Sequence, residues 1–290
     1  MVKKYAVSEA LVPLAVSLLS IVVQMLLAEK IGNTTLFKDL ATSLAVAGIA
    51  TVRYDKRTLI YGKEMVADPG LSVEEETIED ALAAAQLLRT NPRINPEKVF
   101  IIGHSMGASL APRIDAEGGN FAGLILMAGT ARRLEDVIID QNAAAMKDLD
   151  ERARQAAEAQ LAPFVAQLRA IYSMTDEEAQ ATTIDALHVR AYYLKEWGEK
   201  PVADYLKDFQ KPILVLQGAA DFQVSVEADF NAFKAMLANS PQAQFKLYPQ
   251  LSHVFMTSHF PDIKDFQKEY EVAQNLDQQV ATDIIEFIRK

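Results

Sequence analysis

Apolar residues recur along this chain in two rhythms. Short unbroken runs, such as Val99 to Ile102 and Leu124 to Met127, alternate with longer segments in which apolar positions return every three or four residues. The first rhythm suits strands buried on both faces, the second amphipathic helices. In chain order the pattern predicts a helix over Leu36 to Ala47, closed by Gly48, and a strand over Ile49 to Tyr54. A helix then follows over Thr77 to Thr90, a strand over Lys98 to Ile102, a helix over Met106 to Glu117 and a strand over Phe121 to Met127. After a gap the alternation resumes with a strand at Ile213 to Leu216, a helix at Val226 to Ala238, a strand at Gln244 to Tyr248 and a helix over Asp277 to Arg289. Continuous apolar strands separated by helices predict an α/β fold with a doubly wound, mostly parallel sheet.

The alternation stops between residues 132 and 209, where the chain becomes helix-rich and, from Asp148 to Ala170, dense in alanine and charge. No fixed period runs through this stretch, so it reads as an insertion rather than a repeat. The expected organisation is one discontinuous catalytic domain, residues 1–131 and 210–290, with a helical cap at 132–209. A helical excursion that never meets substrate is the alternative. Near the N-terminus, Leu11 to Ala28 is apolar but for Pro13, Ser17, Ser20 and Gln24, the length of a signal or membrane segment. Glu9 separates it from Lys3 and Lys4, and the sheet needs a strand here, so a buried core strand is expected. A targeting segment and a frame-shifted stretch are the alternatives.

Candidate chemistry concentrates where the run Val99 to Ile102 meets Gly103-His104-Ser105-Met106-Gly107. The pattern G-x-S-x-G, placed between a strand and a helix, puts a serine on a tight turn that only small neighbours allow. A serine hydroxyl is a weak nucleophile until an imidazole takes its proton and a carboxylate orients that imidazole. Of the four histidines, His253 and His259 follow the last strand, and His253 lies nearer its end. Asp221, in the turn after Ile213 to Leu216, is the expected acid, with Asp229 as the fallback in the next helix, facing solvent. The order Ser105, Asp221, His253 is that of a nucleophile-acid-histidine triad carried on successive strand ends.

Taken together, Gly103 to Ala108, Arg53 to Thr58, Gln217 to Val224, and Leu247-Tyr248-Pro249 with His253 resemble a bacterial serine-esterase branch of the α/β-hydrolase superfamily. The resemblance covers about residues 36 to 135 and 200 to 290. It implies carboxylic ester hydrolysis with no cofactor and an acyl ester as the small-molecule partner. It also implies a glycine-rich loop after the first core strand, whose main-chain N–H completes an oxyanion hole. This chain has Ser20-Ile21-Val22-Val23-Gln24-Met25 where that loop is expected. The hole is therefore expected to rest on the Met106 N–H, with Ile21 as its uncertain second donor. His104, Tyr192, Tyr193 and Trp197 are candidates for the substrate pocket. An inactive hydrolase-fold binding protein is one alternative, because of the lost loop. A peptidase or acyltransferase using the same triad is another.

Composition narrows the remaining choices. With 39 acidic against 29 basic residues and a net charge of −10, the chain is unsuited to phosphate backbones, so no nucleic-acid partner is expected. No cysteine excludes a thiolate nucleophile or a cysteine zinc site, and His259 with Asp262 and Asp265 fits no zinc spacing, so no metal is expected. Arg53 and Asp55 read as scaffold. A membrane partner is not expected and a homodimer is allowed. The expected compartment is the cytoplasm, with an exported or anchored form as the alternative.

Overall fold

A computed structural model describes residues 5–8, 21–25 and 33–290 of the chain. Two strands come first, β1 (Tyr5–Ser8) and β2 (Ile21–Met25), then helix α1 (Leu36–Val46). Leu36, Phe37, Leu40, Ala41 and Leu44 put the buried face of α1 at helical spacing, and Gly48, at φ +78°, turns the chain into β3 (Ala50–Tyr54). Helix α2 (Arg57–Val66) buries none of its residues, and Leu59 and Ile60 stand exposed on it. A π-helical turn, Glu74–Ile78, leads into α3 (Glu79–Arg89), which packs Ala81, Ala84, Ala85 and Leu88 on the sheet.

Strand β4 (Val99–His104) is buried along its whole length and runs into α4 (Met106–Ile114). The helix expected to continue to Glu117 instead opens into a π-helical turn, Asp115–Gly119. Pro112 removes one helical hydrogen bond, and Gly118 at φ +122° ends the helical path. After β5 (Gly123–Met127) come α5 (Leu134–Ala145), α6 (Glu151–Ala170) and α7 (Asp176–Ala181), then the two-residue strands β6 (Thr183–Ile184) and β7 (Val189–Arg190). Helices α8 (Ala191–Glu199) and α9 (Val202–Leu206) complete the segment before β8 (Ile213–Gly218). The last elements are α10 (Asn231–Met236), β9 (Ala243–Tyr248), α11 (Phe266–Glu271) and α12 (Gln278–Arg289).

The sheet runs β1-β3-β2-β4-β5-β8-β9, parallel throughout except for β1, which pairs antiparallel with β3. Alternation along the strands feeds two cores. Ile101, Leu124, Leu126, Ile213 and Val215 face α3 and α4, whereas Phe100, Ile102, Ile125, Leu214 and Leu216 face α1 and α12. Each such side chain contributes roughly 1.5 to 3 kcal/mol on burial, which is why the central strands tolerate no polar interruption. The helices between β5 and β8 enclose a smaller core of their own, Leu168, Ile171, Ala179, Ile184, Ala191 and Leu194. That segment is tied to the sheet domain by Arg113, which pairs with Glu196 at 2.7 Å and Glu74 at 3.0 Å.

At the N-terminus the residues expected to hold a loop form a strand. Val22 and Val23 pair with Phe100 and Ile101, as their β-branched shape favours. The rest of the apolar stretch lies outside the described residues. Among the described residues, no helix is long and apolar enough to cross a membrane.

Candidate active site

Ser105 occupies the turn between β4 and α4 at φ 56°, ψ −119°, a conformation that an L residue adopts only under constraint. The constraint is main-chain. Ser105 N–H donates to the Met127 carbonyl at 2.8 Å, while its own carbonyl accepts from Ala108 N–H at 2.9 Å. Gly103 makes the crossing passable, since a Cβ there would stand 2.2 Å from the Gly107 carbonyl oxygen. The serine side chain is thus presented at the carboxyl edge of the sheet, above the N-terminus of α4, where main-chain N–H groups favour negative charge.

Two further loops leave the same edge and clip together. After β8, Ala219 N–H donates to Tyr248 O at 2.8 Å and Ala220 N–H to Leu251 O at 3.0 Å, which draws the Asp221 turn against the His253 turn. Gly218 allows this approach: a Cβ there would lie 2.2 Å from Leu251 O. The result is a hydrogen bond of 2.8 Å from His253 Nδ1 to Asp221 Oδ2, with both side chains almost fully buried. Asp221 is held on its other side by the main-chain N–H groups of Gln223, at 2.7 Å, and Val224, at 3.0 Å. Gln217 Nε2 donates to the same Oδ2 at 2.9 Å. With Nδ1 occupied by the carboxylate, Nε2 is the nitrogen left for a reacting proton.

Ser105 Oγ makes no hydrogen bond among the described residues. Its neighbour His104 supplies the tie between elbow and histidine loop. His104 Nε2 lies 2.8 Å from the His253 carbonyl oxygen, and the two rings are tilted at a centroid distance of 4.8 Å. Burial, and then the nearby His253, push the His104 imidazole down to about 3, so it stays neutral. Because a carbonyl only accepts, the proton sits on Nε2; Nδ1 has no partner among the described residues.

His104 is only 2% exposed, packed edge-on to Phe37, so it supports the site from within the core and does not line a pocket. Ile21 also departs from expectation. It opens β2 opposite Val99, at the far end of β4 from Ser105, roughly 20 Å away at about 3.3 Å per strand residue. An Ile21 N–H at that distance serves no oxyanion at Ser105. Met25, opposite Gly103, is the β2 residue level with the elbow, and residues 26–32 lie outside the described residues. Asp229 is fully buried rather than solvent-facing, and accepts from Thr130, Ser225 N–H and both Nε and Nη2 of Arg132. It braces the β5 and β8 loops.

The aromatic trio lies on α8. Tyr193 and Trp197 meet edge to face at 6.5 Å, and Tyr193 reaches the elbow, its hydroxyl 3.7 Å from Met106 Sδ. Tyr193 also walls a cavity of about 300 Å³ with Thr58, Leu71, Glu76, Leu187 and Val189. Trp197 lines a separate recess of about 40 Å³. Sequence reading gave no separate role to Gln217, Glu76 or Lys56; a polar residue next to last in a six-residue buried strand was the available signal for the first.

Three strand-end loops meeting at one sheet edge, with a nucleophile elbow on the first, define an α/β hydrolase. The sequence profile described as "Serine aminopeptidase, S33" matches residues 30–258, and the chain belongs to that hydrolase family. It is 30% identical over 262 residues to esterase EstD of Thermotoga maritima, a match covering 90% of this chain and 58% of that protein. The chain therefore spans little more than half the length of this relative. Among solved structures, an esterase of Pyrococcus furiosus superposes with TM-score 0.53 at 16% identity, over 99% of this chain and 91% of that one. Est1E of Butyrivibrio proteoclasticus, solved with ferulic acid bound, gives TM-score 0.56 at 13% identity, over 99% and 96%. These two likenesses concern the fold.

Proposed function

We propose that this chain hydrolyses carboxylic esters through an acyl-enzyme on Ser105. His253 Nε2 takes the Ser105 Oγ proton as the oxygen attacks the ester carbonyl carbon, and the carbonyl oxygen becomes an oxyanion received by the Met106 N–H. Collapse breaks the bond to the alkoxy oxygen, which leaves with the proton from His253. A water deprotonated by His253 then attacks the acyl carbon, returning the proton to Ser105 and releasing the acid. Asp221 holds the imidazole in the working tautomer and offsets its positive charge at each protonation. Residues 132–209 act in this reading as a cap over the site.

The observation that carries the reading is the buried His253–Asp221 hydrogen bond of 2.8 Å, hung from the elbow through His104. Catalytic hydrogen bonds to the nucleophile often close only when substrate arrives, so the free Ser105 Oγ is compatible with the role. Ester is preferred over amide because the 30%-identical relative is named an esterase. A peptidase reading has support of its own in the family description. The test compares short p-nitrophenyl esters with aminoacyl p-nitroanilides, using the wild type and Ser105→Ala. Ester turnover that vanishes in Ser105→Ala supports the proposal; anilide turnover without ester turnover favours the peptidase, and no turnover of either favours a binding protein.

A further inference from the structure

Beside the elbow lies a polar cluster that the hydrolysis steps above do not use. Glu76, 6% exposed in the π-helical turn before α3, accepts hydrogen bonds from three directions. The Lys56 ammonium lies 2.9 Å from its Oε1, the Thr58 hydroxyl donates to the same oxygen at 2.7 Å, and the Tyr193 hydroxyl donates to Oε2. A carboxylate buried this deeply is costly unless paired and hydrogen-bonded, and here both oxygens are engaged. Burial and the neighbouring Glu76 charge raise the Tyr193 phenol well above its ordinary value, so it remains a donor.

Two of the three partners then converge on one atom. Lys56 Nζ lies 3.9 Å and Tyr193 OH 3.7 Å from Met106 Sδ. A methionine side chain is unbranched and otherwise free to change rotamer, so a sulfur held between an ammonium and a phenol limits where its Cα can sit. Met106 is the first residue of α4, and its N–H is the group assigned to the oxyanion. Lys56 follows β3 in the sheet domain, whereas Tyr193 belongs to α8, in the segment between β5 and β8.

We propose that Lys56 and Tyr193, tied together by Glu76, are positioning residues that aim the Met106 N–H, so that seating of α8 against the sheet domain completes the oxyanion site. This rests on the esterase reading above. It makes the helical segment part of the catalytic geometry rather than only a wall for substrate. Removing the Tyr193 hydroxyl leaves Met106 held from one side, and opening of α8 has the same effect.

The experiment is a double-mutant cycle of Tyr193→Phe and Met106→Leu, which keeps the main-chain N–H at residue 106 but removes the sulfur. Tyr193→Phe is expected to lower kcat for a short p-nitrophenyl ester about fivefold to tenfold with KM nearly unchanged, the scale of one lost hydrogen bond, and to lower Tm because the buried Glu76 carboxylate loses a donor. Affinity for a trifluoromethyl ketone, which forms an oxyanion adduct on Ser105, is expected to weaken by the same factor. In the Met106→Leu background the Tyr193→Phe effect is expected to disappear. An equal loss in both backgrounds, or an unchanged kcat, overturns the proposal. A second readout needs no turnover: the methyl carbon resonance of Met106 in methyl-labelled protein is expected to shift in Tyr193→Phe, and an unmoved resonance overturns the proposal even if the chain proves not to be an esterase. Should Tyr193→Phe not fold, Lys56→Met takes its place in the same cycle with the same readouts.

Discussion

The side chain of His104 donates its Nε2 proton to the main-chain oxygen of His253 across 2.8 Å, so the residue before the elbow serine holds the loop that carries the histidine. One buried imidazole thus couples two strand ends that are far apart in sequence. The price is a group that must remain uncharged.

Acid should therefore weaken the fold through His104. Its pKa is about 3 in the folded chain against 6.5 as the unperturbed value, so below 6.5 the unfolded state binds the extra proton first. Stability from this group is complete above 6.5 and is lost as pH falls toward 3, at up to about 1.4 kcal/mol per pH unit. In His104→Asn, whose amide keeps a donor for His253 O, the fall in urea midpoint between pH about 7 and about 5 is expected to be shallower than in the wild type.

Asp221→Asn is expected to keep the fold and lose most of the activity. An amide nitrogen presented to His253 Nδ1 favours the wrong tautomer, and a neutral group no longer offsets the imidazolium. Loss of kcat on the order of 10³- to 10⁴-fold with little change in KM is expected from steady-state kinetics.

The opposite pattern is expected at the other buried aspartate. Asp229 carries the Arg132 pair at 2.8 Å, and its side-chain hydrogen bonds go to Thr130, Arg132 and Ser225. Asp229→Asn removes the buried carboxylate of that pair and leaves the part-exposed Arg132 with Asp140 alone, 2.6 Å from its Nη1, so the cost is expected to fall below the roughly 3 to 5 kcal/mol of breaking a fully buried pair. Denaturant unfolding is expected to register that loss, while kcat per folded molecule stays near the wild-type value.

Gln217 is expected to matter through the acid it supports. Its Nε2 donates to Asp221 Oδ2 at 2.9 Å and to Gly218 O at 3.1 Å. Gln217→Ala removes a hydrogen bond to a charged acceptor, worth about 1.5 to 3 kcal/mol, and loosens the acid turn. Paired urea titrations and kcat measurements should show both falling together.

Much of this architecture was legible from pattern alone, because central strands buried on both faces must be continuously apolar. Val99 to Ile102, Leu124 to Met127 and Ile213 to Leu216 announced themselves this way. The G-x-S-x-G elbow was legible for a related reason: Gly103 is dictated by the 2.2 Å approach of the Gly107 carbonyl. What escaped was what depends on distant contacts. Strand β1 has four residues, too few to display a period, and is defined by its pairing with β3. Ile21 falls where the family resemblance implies a loop, yet the β-branched run it begins forms β2. Asp229 looked like a solvent-facing helix residue until Arg132, 97 positions away, came to cover it. Glu76 gave no local sign, and Lys56 only its place in the segment Arg53 to Thr58, since their significance lies in a third residue, Tyr193, from another part of the chain.

The most direct measurement of the central claim is to quench the protein in acid during turnover of p-nitrophenyl acetate and map the acetyl group by peptide mass spectrometry. Acetyl is expected on Ser105 alone, to build up faster than it is released, and to be missing in Ser105→Ala. Undiminished ester turnover in Ser105→Ala, or acetyl accumulating on another residue at the rate of turnover, would contradict an acyl-enzyme at this elbow.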